Sequence, residues 1–117
     1  MSDLAAIAVN AQAEALSRLL DGGFLRLYEG ERVLAELRFA DPASGPARDG
    51  VVEFSVRADD AALATGSPER YQALRKDGAV VLMGTVGVAG ADLIVRNASI
   101  VKGARVSVGK FSHRVPR

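Results

Sequence analysis

The chain has 117 residues, enough for one domain whose core buries roughly two thirds of the surface exposed on unfolding, and too few for a second. Hydrophobic residues make up 49% and charged residues 25%, a globular balance, and fifteen Lys and Arg against fourteen Asp and Glu leave a net charge of +1, without the overall field that steers proteins onto nucleic acid. With no cysteine, disulfides, thiolate metal sites and a cysteine nucleophile are excluded.

Asp3 stands where a secretion leader would carry positive charge, and Asn10, Gln12 and Glu14 interrupt the apolar residues that follow. No unbroken apolar run approaches the ~20 residues of a membrane span. The expectation is a protein made in a cytoplasm and soluble there.

From residue 3 to about 21 the pattern is helical. Leu4, Ile7, Ala8, Ala11, Ala15 and Leu19 recur at helical spacing, while Asn10, Gln12, Glu14, Ser17 and Arg18 fill other faces. Ser2 or Asp3 can cap the start, and Gly22 or Gly23 can end the helix. Leu4, Ile7, Ala11 and Leu19 are expected to be buried, against the chain's own sheet or between subunits.

After Gly23 the period changes to two. Phe24 to Tyr28 and Val33 to Phe39 flank the turn Glu29-Gly30-Glu31 and predict a hairpin. Asp41 to Gly50, rich in Pro, Gly, Asp and Ser, predicts a long loop suited to an interface or simply tolerated at the surface. Val52, Phe54, Val56 and Ala58 then alternate with Glu53, Ser55 and Arg57, predicting a strand with one buried face. A second loop, Asp59 to Pro68, follows. Glu69 to Lys76 fits a strand, with a helix as the alternative, and Lys76-Asp77-Gly78 turns it into the β-branched run Ala79 to Val86.

Gly87 to Asp92 predicts another turn, and Leu93 to Arg96 and Ala98 to Val101 predict short strands. Ala104 to Val115 closes the chain, with a bulge at Gly109 where the alternation shifts. About eight short strands predict a mainly β fold, with a β-sandwich or jelly-roll-like domain over residues 24–115 behind one N-terminal α-helix; a small barrel is the second choice.

No catalytic constellation stands out, and the protein is not expected to be an enzyme. The single histidine, His113, has no oriented partner visible in sequence and is expected at the surface or on an edge strand. Asp41, Asp49, Asp59 and Asp60 match no calcium-loop spacing, so solvated carboxylates are expected. Gly84, Gly87 and Gly90 lack the Lys-Ser/Thr of a phosphate loop and read as turn glycines. Arg96, Lys102, Arg105, Lys110, Arg114 and Arg117 make the C-terminal fifth basic. Two Tyr, four Phe and no Trp offer little to stack on nucleic-acid bases or sugars, which favours a structural interface.

Five segments in order carry a resemblance. They are an Ala-rich N-terminal helix with its glycine turn, GGFLRLYEG, VLAELRFADPASG, YQALRKDGAVVLMGTVG and GADLIVRNASIVKGARVSV. Together they span most of the chain and resemble small proteins encoded among the structural genes of tailed bacteriophages and prophages. The chain departs from that pattern in its short, charged Tyr28 to Val33 turn and in the basic residues of its last two strands.

The resemblance implies a virion component without cofactor or metal, either a capsid decoration (cement) protein bridging capsid subunits or a small neck, tail or fibre-associated protein that contacts host receptor or glycan. The implied partners are the major capsid protein or other virion proteins. A homo-oligomer is expected, and neither a membrane nor a nucleic acid. Contact residues are expected in the helix (Leu4, Ile7, Ala11), the loops (Asp41, Arg48, Asp59, Asp60) and the basic C-terminal region (Arg105, Lys110, Arg114).

Overall fold

The computed structural model describes residues 3–59, 61–96 and 98–114. It opens with helix α1 (Asp3–Leu19), which ends before Gly22 adopts a φ of 66°, a conformation that costs glycine little. No helix of the described residues is long and apolar enough to cross a membrane.

Among the described residues seven strands follow: β1 (Phe24–Glu29), β2 (Arg32–Ser44), β3 (Val51–Arg57), β4 (Arg70–Leu74), β5 (Val80–Gly87), β6 (Leu93–Val95) and β7 (Val108–Arg114). The fold is therefore mainly β with one helix. The strands close into one barrel in the order β1-β2-β3-β7-β6-β5-β4, the second architecture that the strand count allowed. Closure comes from a long-range pairing: β1 bonds to β2 on one side and, from Phe24↔Leu74 to Tyr28↔Arg70, to β4 on the other. All neighbours are antiparallel except β5 and β6.

Most predicted elements are present. Glu69 to Lys76 contains a strand, not a helix, and Gly78 N–H donates to the Arg75 carbonyl (2.8 Å) in the expected turn. Leu93 pairs with Phe111 and Val95 with Val108, so β7 carries an extra residue around Gly109 where a bulge was expected. The predicted strand Ala98 to Val101 is not formed. That stretch belongs to a loop joined to Gly66 by a single bridge at Ile100, and β7 begins only at Val108. Asp41 to Ser44, expected in a loop, continues β2.

The barrel interior is filled by alternate side chains. Leu25 and Leu27 of β1, Leu34, Leu37 and Phe39 of β2, Val52 and Phe54 of β3, Tyr71 and Ala73 of β4, Leu93 and Val95 of β6 and Phe111 of β7 are all buried. Glu53, Ser55 and Arg57 face solvent, as the alternation in β3 requires. The extra residue in β2 opposite Leu27 and Tyr28 puts Leu34 and Ala35 both inside. Four rings make the centre: Phe111 lies 4.9 Å from Phe54, 5.1 Å from Tyr71 and 6.1 Å from Phe39. On the outside, Arg26 bonds its directly opposite partner Glu36 (2.7 Å), and the guanidinium of Arg70 sits 4.2 Å over the Tyr28 ring.

Helix α1 packs on β2 and β3, but with a different face from the one expected. Val9, Ala13, Ser17 and Leu20 are buried, whereas Ile7 is 65% exposed, Leu19 is 47% exposed and Ala11 faces solvent. The side chain of Leu4 lies outside the described residues. Two stripes of this Ala-rich helix are apolar, and the polar stripe beside Val9 and Ala13 decides between them.

Candidate functional site

That polar stripe is Asn10, Glu14 and Ser17, spaced by four and three residues and so aligned along one side of the helix, and Asp21 extends it just past the helix end. It faces the segment Ala43–Gly50. Asn10 Oδ1 accepts from Gly50 N–H (2.6 Å), Glu14 Oε2 from Ala47 N–H (2.8 Å) and Asp21 Oδ1 from Ala43 N–H (2.7 Å). The Ser17 and Ser44 hydroxyls bond each other. Arg48 and Val51 exchange two backbone bonds of 2.9 Å across Asp49 and Gly50, both at positive φ, the geometry of a tight hairpin turn. The two charged acceptors, Glu14 and Asp21, contribute about 1.5–3 kcal/mol each, and with Asn10 and the serine pair they tie the helix to this segment. The face turned outward is Ile7, Ala8, Ala11, Ala15 and Leu19.

A second surface forms beyond the other end of β3. The segment Asp59–Gly66 is bonded to the loop between β6 and β7: Asp59 and Val106 exchange two backbone bonds of 2.8 Å, Gly103 N–H donates to the Ala62 carbonyl (2.9 Å), and Lys102 N–H donates to Thr65 Oγ1 (2.9 Å). Asp59, expected at an interface, is half-buried and has a structural task. Its carboxylate accepts from Glu36 N–H and Ala61 N–H, each at 3.2 Å.

A third feature is lined by β4, β5, β7 and the β5–β6 connection. Tyr71, Leu82, Met83, Asp92, Ser112 and His113 line a cleft of about 410 Å³. Asp92 Oδ2 accepts from Thr85 N–H (3.0 Å) and Thr85 Oγ1 (3.2 Å), which folds the β5–β6 connection tightly back. Gly84, read as a turn glycine, lies within β5. A Cβ there would stand 2.6 Å from Asp92 Oδ2 and 2.8 Å from the Tyr71 ring. Burial, with Asp92 adding to it, pushes the Tyr71 hydroxyl up to about 12, so it stays protonated throughout the neutral range.

His113 is half-buried and pairs with Val52 of β3, while among the described residues the pairing of β7 with β6 stops at Phe111. Burial lowers its proton affinity, and the charge of Asp92 opposes that only in part. The unfolded chain then binds the proton more readily than the folded one. Stability is present above the ordinary imidazole value and is lost as pH falls through the lower folded value. Melting measured between about pH 7 and about pH 5.5 should show this loss, and His113→Asn should flatten the slope. An equal slope in the variant would assign it to other groups.

The expected contact residues thus fall into two groups. Ile7, Ala11 and Arg48 are exposed around the helix and its strapped segment, and Asp41 is exposed on the β2 extension that leads into it. Arg105 is exposed on the loop beside Asp59. Asp60 lies outside the described residues, as do the side chains of Lys110 and Arg114. Among the described residues no group of three His, Asp or Glu is placed to hold a metal ion. Sequence reasoning missed the acceptors Asn10, Glu14 and Asp21. Their shared helical spacing, opposite a segment without periodicity, was the available signal.

The fold and these surfaces define a small, mainly β barrel with a clamped external helix. No family model, no curated protein and no solved structure matches the chain.

Proposed function

We propose that the protein is a structural component of a tailed-phage particle, a capsid decoration subunit that bridges neighbouring capsid subunits through protein–protein contacts and catalyses no reaction. The observation that carries this reading is the outward face of α1. Ile7 and Leu19 are large apolar side chains held in solvent on a helix fixed by four side-chain bonds. A rigid apolar strip contributes to binding without the ordering cost that a mobile one would carry. The order of the five resembling segments supplies the particle context. A near-neutral net charge also limits repulsion between copies set side by side, and repetition makes modest contacts effective.

Quantitative mass spectrometry of purified virions tests the proposal. The expected result is a copy number equal to that of the major capsid protein or a simple fraction of it. A handful of copies per particle would move the protein to the neck or tail, and absence from particles would reject a virion role. Ile7→Asp should leave melting within about 0.5 kcal/mol of the parent, because the site is exposed, while reducing incorporation. Normal incorporation of that variant would remove the helix face from the contact.

A further inference from the structure

The loop between β6 and β7 folds around a recess of about 180 Å³. Val95, Ile100 and Val106 line it and are buried, and Arg96, Arg105, Ser99 and Ser107 share the lining. From Leu93 to Arg114 the chain has no acidic residue. Among the described residues Arg96, Lys102 and Arg105 have no carboxylate within ion-pair distance, whereas Arg26, Arg32 and Arg75 each have one. Val101, which also lines the recess, is 58% exposed, and Leu63, on the segment bonded to this loop, is 56% exposed. The loop is held by the backbone bonds of Ile100, Gly103 and Val106 to the Asp59–Gly66 segment, so the cations stand on a fixed frame.

We propose that this recess binds an acidic segment of a partner protein, with one carboxylate held by Arg96 and Arg105 and an adjoining apolar side chain resting on Val101 and Leu63. This deepens the reading of the protein as a protein-binding module. The volume suits a single side chain and falls short of the roughly 300–1,000 Å³ of small-molecule pockets. Guanidinium groups match carboxylates with paired hydrogen bonds, and the Ser99 and Ser107 hydroxyls add donors. Among the described residues no aromatic side chain lines the recess, so nucleic-acid bases would find nothing to stack on.

The test is a titration of the 15N-labelled full chain with the peptide acetyl-Glu-Leu-Glu-Leu-Glu-amide, followed by amide shifts. Shifts are expected in the β6–β7 loop and the Asp59–Gly66 segment. Arg96→Gln and Arg105→Gln should each weaken binding by about tenfold or more, the loss of a charge-assisted hydrogen bond. Both residues are exposed, so melting should not change. Lys76→Gln, on the exposed β4–β5 turn, should bind as the parent does. Four results would overturn the proposal: no binding, shifts confined to other regions, equal binding of the Gln-Leu counterpart, or tighter binding of a single-stranded oligonucleotide at the same amides. The peptide experiment needs no particle, so its failure leaves the virion copy number standing, and the reverse also holds.

Discussion

Phe111→Ala is expected to destabilise the protein by about 3–5 kcal/mol, the range for truncating a buried ring. The side chain is 2% exposed and contacts rings from three other strands, Phe39 of β2, Phe54 of β3 and Tyr71 of β4. Removing it leaves a void bounded by aromatic groups on a closed sheet, which cannot collapse without tilting several strands together. Each ring also loses an edge or tilted contact, about 0.5–1.5 kcal/mol beyond the buried area. Urea unfolding monitored by circular dichroism measures the change. Phe111→Leu, which keeps most of the volume, should lose much less. A loss below about 1 kcal/mol for the alanine variant would mean that the four-ring cluster is not the centre of the core.

Gly23→Ala should be nearly as damaging, about 3 kcal/mol, although an added methyl group more often stabilises by restricting the unfolded chain. A Cβ at this position would lie 2.1 Å from the carbonyl oxygen of Leu74 and 3.0 Å from that of Leu20. Both are backbone atoms and cannot rotate aside. Gly23 is also tied on two sides, its N–H to the Leu20 carbonyl (2.8 Å) and its carbonyl to Phe39 N–H (3.0 Å). Helix end, β2 and β4 therefore meet at a point with no room for a side chain, and relief would require moving α1 off the barrel. Gly45→Ala is the matched control, since nothing lies within 4 Å of a Cβ there and its φ is not positive. If both variants melt together, the close approach at Gly23 is not rigid.

Local patterns were legible in the sequence because they depend on neighbours in the chain. Strict alternation in β3 told inside from outside correctly, with Val52 and Phe54 buried and Glu53 exposed. The β1–β2 and β4–β5 turns were marked by Gly30 and Gly78 in the same way. Contacts between distant segments were not legible. Pairing β1 with β4 joins residues 46 or more positions apart along much of its length, and nothing in either strand names its partner. The helix shows the same limit. Ile7, Ala11 and Leu19 looked like an inner face, yet the choice belonged to Asn10, Glu14 and Asp21, whose partners Gly50, Ala47 and Ala43 come from a segment whose path only the fold reveals. Of the candidate contact surface, the basic character of the last strands was visible. The recess that gathers Arg96 and Arg105 was hidden, because Ala98 to Val101 read as a strand.

The barrel's hydrogen-bond ring is uneven around its circumference. β1 is laced on both sides from Phe24 to Tyr28, while β5 and β6 are joined by only two residue pairs, Val86↔Leu93 and Gly87↔Ile94. Upstream of that seam, Val80 to Thr85 have no strand on the side away from β4 among the described residues, and Val80 and Met83 are exposed there. Opening free energy follows the number of contacts that must break, so the cylinder is laid out like a garment whose short fastenings lie on either side of β6. It parts first around β6, whose ladders to β5 and to β7 have two residue pairs each, while β5 stays on β4 through the five pairs from Arg70↔Thr85 to Leu74↔Val80 and the four-ring centre, carried by β2, β3, β4 and β7, stays shut.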